Sequence, residues 1–258
     1  MPDISTTMIV LLCVAAAAAG WIDAVVGGGG LILLPVLLLG LPGAASTTVL
    51  GTNKAVAIVG TTGAAVTFAR RAPVNVALAV RIGLAALLGS MGGAALAGGI
   101  SRDVLRPLIM VVLVLVGAVM IFRPGFGAAP SASPVSRQRV LLTIALAGLG
   151  IGFYDGLFGP GTGTFLVLAL TALLHLDLVT ASATAKIVNV CTNAGALAMF
   201  AYQGTVLWQL AGLMAVFNLA GAMIGARMAL KKGSGFVRVV LLTVVGSLVV
   251  KLGFDQWG

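Results

Sequence analysis

The stretch MIVLLCVAAAAAGWIDAVVGGGG, residues 8–30, decides the fold. From Met8 to Val26 it carries a single charge, Asp23, and it ends in four consecutive glycines. An apolar run of roughly 20 residues is the length a helix needs to cross a bilayer. Without water, every backbone group must be satisfied internally, which leaves helices or closed barrels, and the period-two alternation of barrel strands is missing here. Met8 to Ala19 also resembles a signal-peptide core. No basic residue precedes it, however, and the stretch has a counterpart later in the chain, so it reads as a mature helix.

The rest of the chain follows suit. Apolar residues make up 60% and charged residues 8%, with a mean hydropathy of +1.18. Soluble domains carry roughly 25% charged residues, so this chain cannot cover a water-facing surface. The 36 glycines suit helices that pack closely in lipid. A net charge of +9 does not point to nucleic acid, because the positive residues sit at the ends of apolar runs and form no basic face with interleaved aromatics. Cys13 and Cys191 lie inside apolar segments without metal-ligand spacing and read as small buried residues. The fold class is an all-α polytopic membrane protein.

An internal repeat organises it. Gly20, Asp23, Gly27 and Gly29 fall on Gly152, Asp155, Gly159 and Gly161, each 132 positions on. The same shift pairs Thr52 with Thr184, Lys54 with Lys186, Gly63 with Gly195 and Phe68 with Phe200. Over residues 20–68 there are 14 identities in 49 positions, against roughly five for this skewed composition. The chain reads as one membrane domain, 1–258, with repeat 1 in 1–122, a linker rich in Pro, Gly, Ser and Ala in 123–139, and repeat 2 in 140–258.

Each half divides alike. A long run (5–26, 138–158) ends in a glycine break, Gly27 to Gly30 or Gly159-Pro-Gly-Thr-Gly163, and a short stretch follows (31–41, 163–174). Three long runs come next, 46–69, 75–98 and 104–122, then 178–201, 206–229 and 235–252. Five segments per half place Arg70, Arg71, Arg123, Arg137, Arg139, Arg227, Lys231, Lys232 and Arg238 on one side, against Arg102, Arg106 and Lys251 on the other. Four segments per half would split the same charges evenly. The positive-inside rule selects the asymmetric answer. That answer predicts inverted repeats with both termini outside, each short segment a half-helix joined to irregular backbone.

Inverted repeats with broken helices are the architecture of secondary transporters. The breaks expose backbone N–H groups at the positive end of the following half-helix, which suits an anion. Gly28, Gly29, Gly30, Gly161, Thr162 and Gly163 are the candidate donors. Lys54 and Lys186 lie roughly eight residues into their helices, about 12 Å of rise, where a charge costs at least about 2.5–3.5 kcal/mol. Either they meet an anionic substrate or they pair with Asp23 or Asp155. Those carboxylates could equally carry a coupling proton. Thr52, Asn53, Thr184, Asn189 and Asn193 are nearby hydrogen-bonding candidates, although such residues also bridge membrane helices routinely. Arg81 has no repeat mate and fits a snorkelling side chain. The single histidine, His175, has no metal-ligand cluster around it. Neither a nucleophile–base pair nor a phosphate-loop lysine motif occurs, so an enzyme and a nucleotide-driven pump are not indicated.

Gly20-Trp-Ile-Asp23-Ala-Val-Val-Gly-Gly-Gly-Gly30, with Pro35 and Gly51-Thr-Asn-Lys54, resembles the sulfite exporter TauE/SafE family. Gly152-Phe-Tyr-Asp155 through Gly163, with Ala183-Thr-Ala-Lys186, is similar to that family's second copy, although Ala185 replaces the asparagine. The resemblance covers nearly the whole chain. It implies a bacterial inner-membrane transporter exporting small sulfur-containing oxyanions such as sulfite or organosulfonates; from the residues, neither a cofactor nor a metal is expected. From the residues alone the reading is a small-anion transporter working by alternating access, with a passive channel or carboxylate carrier as alternatives. Its partners are the anion and the lipid bilayer; neither a coupling ion nor an oligomeric state follows from the sequence.

Overall fold

A computed structural model describes residues 5–99 and 136–257; the predicted run 104–122 and linker positions 123–135 lie outside the described residues. Among the described residues there is no strand. The helices are α1 (Thr6–Val26), α2 (Gly29–Gly40), α3 (Ser46–Ala69), α4 (Val76–Leu96), α5 (Arg137–Leu157), α6 (Thr162–Leu174), α7 (Leu178–Tyr202) and α8 (Trp208–Trp257). Gly233 breaks α8 into two helices with a φ of 75°, which matches the two runs expected there. Helix starts follow the capping chemistry of the sequence. Ser5, Asn75, Ser136 and Asp177 each accept a backbone N–H of the first turn.

Among the described residues, five stretches are long and apolar enough to cross a membrane: Thr6–Val26, Ser46–Ala69, Val76–Gly99, Arg137–Leu157 and Trp208–Val244. Large apolar side chains such as Leu11, Val14, Leu84, Leu88, Val216 and Ile224 point outward, as a lipid-facing surface requires. α3 and α7 are different. They carry buried Thr, Asn and Lys side chains, which only a helix enclosed by its neighbours can hold.

The short segments form hairpins with the helices before them. α2 begins with Gly29 beside Ala19 and Asp23 and ends with Gly40 beside Leu12 and Met8, so it runs back along α1. In the other half, Tyr154 of α5 packs on Phe165 of α6 with tilted rings whose centroids are 5.2 Å apart, while Arg139 near the start of α5 meets His175 just past the end of α6. At 12 and 13 residues these helices rise about 18–20 Å, short of a hydrocarbon core of about 30 Å.

Contacts repeat at the same 132-residue shift. Gly221 and Gly225 of α8 press on the backbone of Ala17 and Trp21 in α1, and Gly89 and Gly93 of α4 press on Leu149 and Phe153 in α5. These are two small-xxx-small pairs that let helix axes approach closely. α3 packs on α8 through Gly63 and Leu219, as α7 packs on α4 through Gly195 and Leu87. α3 and α7 themselves meet running antiparallel: Gly51 lies against Phe200, and Asn193 reaches Thr61.

One element breaks the correspondence. Residues Ile144–Gly150 of α5 form a π-helix, whereas α1 is α-helical throughout. The caps explain why, since Ser5 and Ser136 stand 131 positions apart while the glycines beyond stand 132 apart. α5 holds one extra residue, and a π segment is how a helix absorbs one.

Candidate functional site

The site forms where the two glycine breaks meet. Gly27 ends α1 with a φ of 81°, and Gly159 and Gly161 take φ values of 86° and 77° between α5 and α6. These are left-handed conformations that glycine adopts without steric cost. Gly27 packs directly on Gly163, backbone to backbone, so a side chain at either would not fit. Gly30 faces Pro160 and the Gly159 carbonyl. Thr164 Oγ1 donates to the Val26 carbonyl at 2.8 Å and Ser182 Oγ to the Val25 carbonyl at 3.3 Å, tying the end of α1 to α6 and α7.

Both lysines are buried beside these breaks, and each pairs with the other half's aspartate. Lys54 Nζ of α3 lies 2.6 Å from Asp155 Oδ2 of α5, both residues 2% exposed. Its ammonium also abuts Gly159, where a Cβ would come within 3.0 Å. The carboxylate oxygen has no further partner and its contact lacks hydrogen-bond alignment, so this pair is chiefly coulombic. Lys186 Nζ of α7 donates to Asp23 Oδ2 of α1 at 3.0 Å, with the lysine fully buried and Asp23 17% exposed. Thr61 Oγ1 donates to the same oxygen at 3.3 Å, and Asn193 Nδ2 to Thr61 Oγ1 at 3.4 Å. Thr61 and Asn193 are themselves 132 positions apart.

The other predicted residues divide. Gly28, Gly29 and Gly30 form the start of α2, with Gly29 packed on Asp23; Gly161, Thr162 and Gly163 form the start of α6. Three threonines are engaged with backbone: Thr52 Oγ1 accepts from Leu207 N at 3.1 Å, Thr162 donates to Gly159 and Thr184 to Thr180. Asn53 differs, because its side-chain oxygen is buried without a partner. Asn189 holds Thr192 within its own helix. Thr61 is the residue the sequence reading missed. Its signal was a polar residue facing a polar mate at the repeat offset, which a search for identities passes over.

The depth of the site follows from the helices that hold it. Lys186 lies eight residues into α7, so the end of α1 that carries Asp23 stops about 12 Å short of the start of α7. Among the described residues, positive side chains outside the two buried pairs gather at that end of the bundle. Arg139 meets His175, Ser234 reaches Asp177 at 3.5 Å just beyond Lys231 and Lys232, and Arg70, Arg71 and Arg227 share one cleft. The Lys186–Asp23 pair lies toward this basic face, and the Lys54–Asp155 pair toward the opposite one. No cluster of three or more metal-ligating side chains occurs among the described residues.

Comparison with known proteins agrees with this architecture. The family model described as sulfite exporter TauE/SafE matches residues 12–252. A probable membrane transporter protein, ORF9 of a Sinorhizobium species, is 34% identical over 220 residues, covering 85% of this chain and 82% of the relative. The probable membrane transporter protein YfcA of Escherichia coli K12 is 35% identical over 213 residues, 81% of this chain and 77% of its own length. A probable membrane transporter protein of Haemophilus influenzae is 33% identical over 221 residues, with coverages of 86% and 84%. No solved structure gives a significant match. A match spanning both glycine breaks and both lysines places the chain, a multi-pass helical membrane protein, in the sulfite exporter TauE/SafE family.

Proposed function

We propose that this membrane transporter carries a small sulfur-containing oxyanion, sulfite or an organosulfonate, by alternating access between two inverted repeats. The single observation that carries the reading is the crossed pairing, Lys54 with Asp155 and Lys186 with Asp23, at the junction of the two breaks. Repeat-related α3 and α7 run antiparallel, as inverted halves require. The basic face is then cytoplasmic and both termini lie outside, in a bacterial inner membrane.

A buried ion pair is neutral as a unit, and removing one partner leaves a charge that costs about 3–5 kcal/mol. An incoming oxyanion can replace a carboxylate at a lysine without that cost to the ammonium. The released aspartate must then take a proton or turn to another donor; Asp23 already has Thr61. The amide N–H of Asn53, next to Lys54 in sequence, and the backbone N–H groups of Gly28 to Gly30, Gly161 and Gly163 supply the remaining donors. Substrate would thus be held by charge from the long helices and by dipole from the short ones. The sulfur chemistry comes from the family rather than from these residues.

The test uses charge-neutral double variants, Lys54→Gln/Asp155→Asn and Lys186→Gln/Asp23→Asn, which leave no unpaired charge in the core. Purified wild type titrated with sulfite, sulfoacetate, taurine and short carboxylates should gain thermal stability with the sulfur oxyanions, by about 2.7 kcal/mol at 100 times Kd. Both double variants should fold and lose that gain. Undiminished stabilisation in both would remove the lysines from the site. A larger response to carboxylates would change the substrate class.

A further inference from the structure

Away from the breaks, the outer surface carries a cleft of about 600 Å³ between α3 and the first part of α8. Val59, Val66, Leu219 and Met223 make its walls, with Val59 and Val66 exposed. Its end at the basic face is ringed by Arg70, Arg71 and Arg227. All three are exposed, and none has a carboxylate within ion-pair distance among the described residues. We propose that this cleft binds one anionic phospholipid of the cytoplasmic leaflet, with the phosphodiester on the arginines and an acyl chain along the groove.

Three observations favour that occupant. The wall from Ile58 to Arg71 rises about 20 Å along α3, enough to span one leaflet of about 15 Å. Charge and apolar surface are separated along it in the order a phospholipid presents them. Arginine also binds phosphate through a planar fork of donors, and basic pockets between membrane helices are suited to such headgroups. The internal symmetry supplies a control. Positions related to Arg70, Arg71 and Arg227 by the repeat are Tyr202, Gln203 and Ala95, so none of the three charges is repeated in the other half. Membrane orientation alone would be served by arginines anywhere on the cytoplasmic loops; these three converge on one groove. The inference does not depend on which anion is transported.

The experiment compares full-length protein in detergent micelles doped with phosphatidylglycerol or phosphatidylcholine, read by thermal unfolding and by lipid retained in native mass spectrometry. Wild type should retain phosphatidylglycerol and melt a few degrees higher with it than with phosphatidylcholine. Arg70→Gln/Arg71→Gln/Arg227→Gln should lose both effects. Val66→Trp, which fills the groove and keeps every charge, should lose them as well, so the outcome does not hang on a variant of altered charge. Equal response of wild type to the two lipids, or full retention of phosphatidylglycerol by both variants, would overturn the proposal. So would equal stabilisation by soluble dimethyl phosphate, which would make the cleft a free-anion site.

Discussion

At the scale of single residues, the two lysines differ in how firmly they are held. Lys54 and Asp155 are both sealed from solvent, whereas Asp23 keeps a partly open flank and a second donor in Thr61. Asp155→Asn leaves the Lys54 ammonium buried without a counterion and should cost about 3–5 kcal/mol. Asp23→Asn should cost less, because water can reach the partly exposed position 23 beside the Lys186 ammonium and Thr61 stays in place. Adding Lys54→Gln to Asp155→Asn should recover most of the loss. Thermal unfolding of the three variants in detergent measures the order; an equal loss for the two single variants would contradict the asymmetry. The lysines themselves were legible from sequence, since a charge eight residues inside an apolar helix demands a reason. Their partners were less so. A repeat found by offset says which residues are equivalent, not which ones touch, and here the contacts cross from one half to the other.

At the scale of elements, the sequence told more about where helices lie than about how they fit. Apolar runs and glycine breaks set the boundaries of α1 to α4 and of α5 to α8 closely, because a bilayer permits little except helices. Gly89, Gly93, Gly221 and Gly225 were not read as the contacts between α4 and α5 and between α1 and α8, since small residues are too common in this chain to stand out. The π segment was hidden as well, because the repeat's identities begin at Gly20, beyond the extra residue that separates the two caps. That residue makes a specific prediction. Deleting Ala145, which is exposed within the π segment, should turn Ile144–Gly150 into regular α-helix and leave Asp155 facing Lys54. Deleting Phe153, beyond the segment, should rotate Gly152 and everything before it by about 100° against Asp155, misplacing the glycine contact with α4. The first deletion should melt within a few degrees of wild type and the second far below it. A comparable loss in both would show that the π segment is not a tolerated insertion.

At the scale of the molecule, the halves share contacts but not exposure. Near the basic face Asp23 is 17% exposed, while toward the other face Asp155 is 2% exposed. On the proposed alternating-access reading, each half adopts in turn the environment that the other now has. The exchanged arrangement would seal Asp23 against Lys186 and open Asp155 toward the opposite face, which is alternating access expressed in one pair of carboxylates. Ile22 and Tyr154, the residues just before the two aspartates, are repeat mates and report on it. In a background carrying Cys13→Ala and Cys191→Ala, Ile22→Cys should react with a membrane-impermeant thiol reagent applied from the basic face. Tyr154→Cys should react only from the other face, and more slowly while this arrangement predominates. A transported anion that drives exchange between the two states should change the two rates in opposite directions, since one molecule cannot open both pairs without becoming a channel. Simultaneous rises at both positions would favour a continuous pore. No anion-dependent change at either would leave the crossed pairs as fixed struts, and the conducting path would then have to lie elsewhere in the bundle.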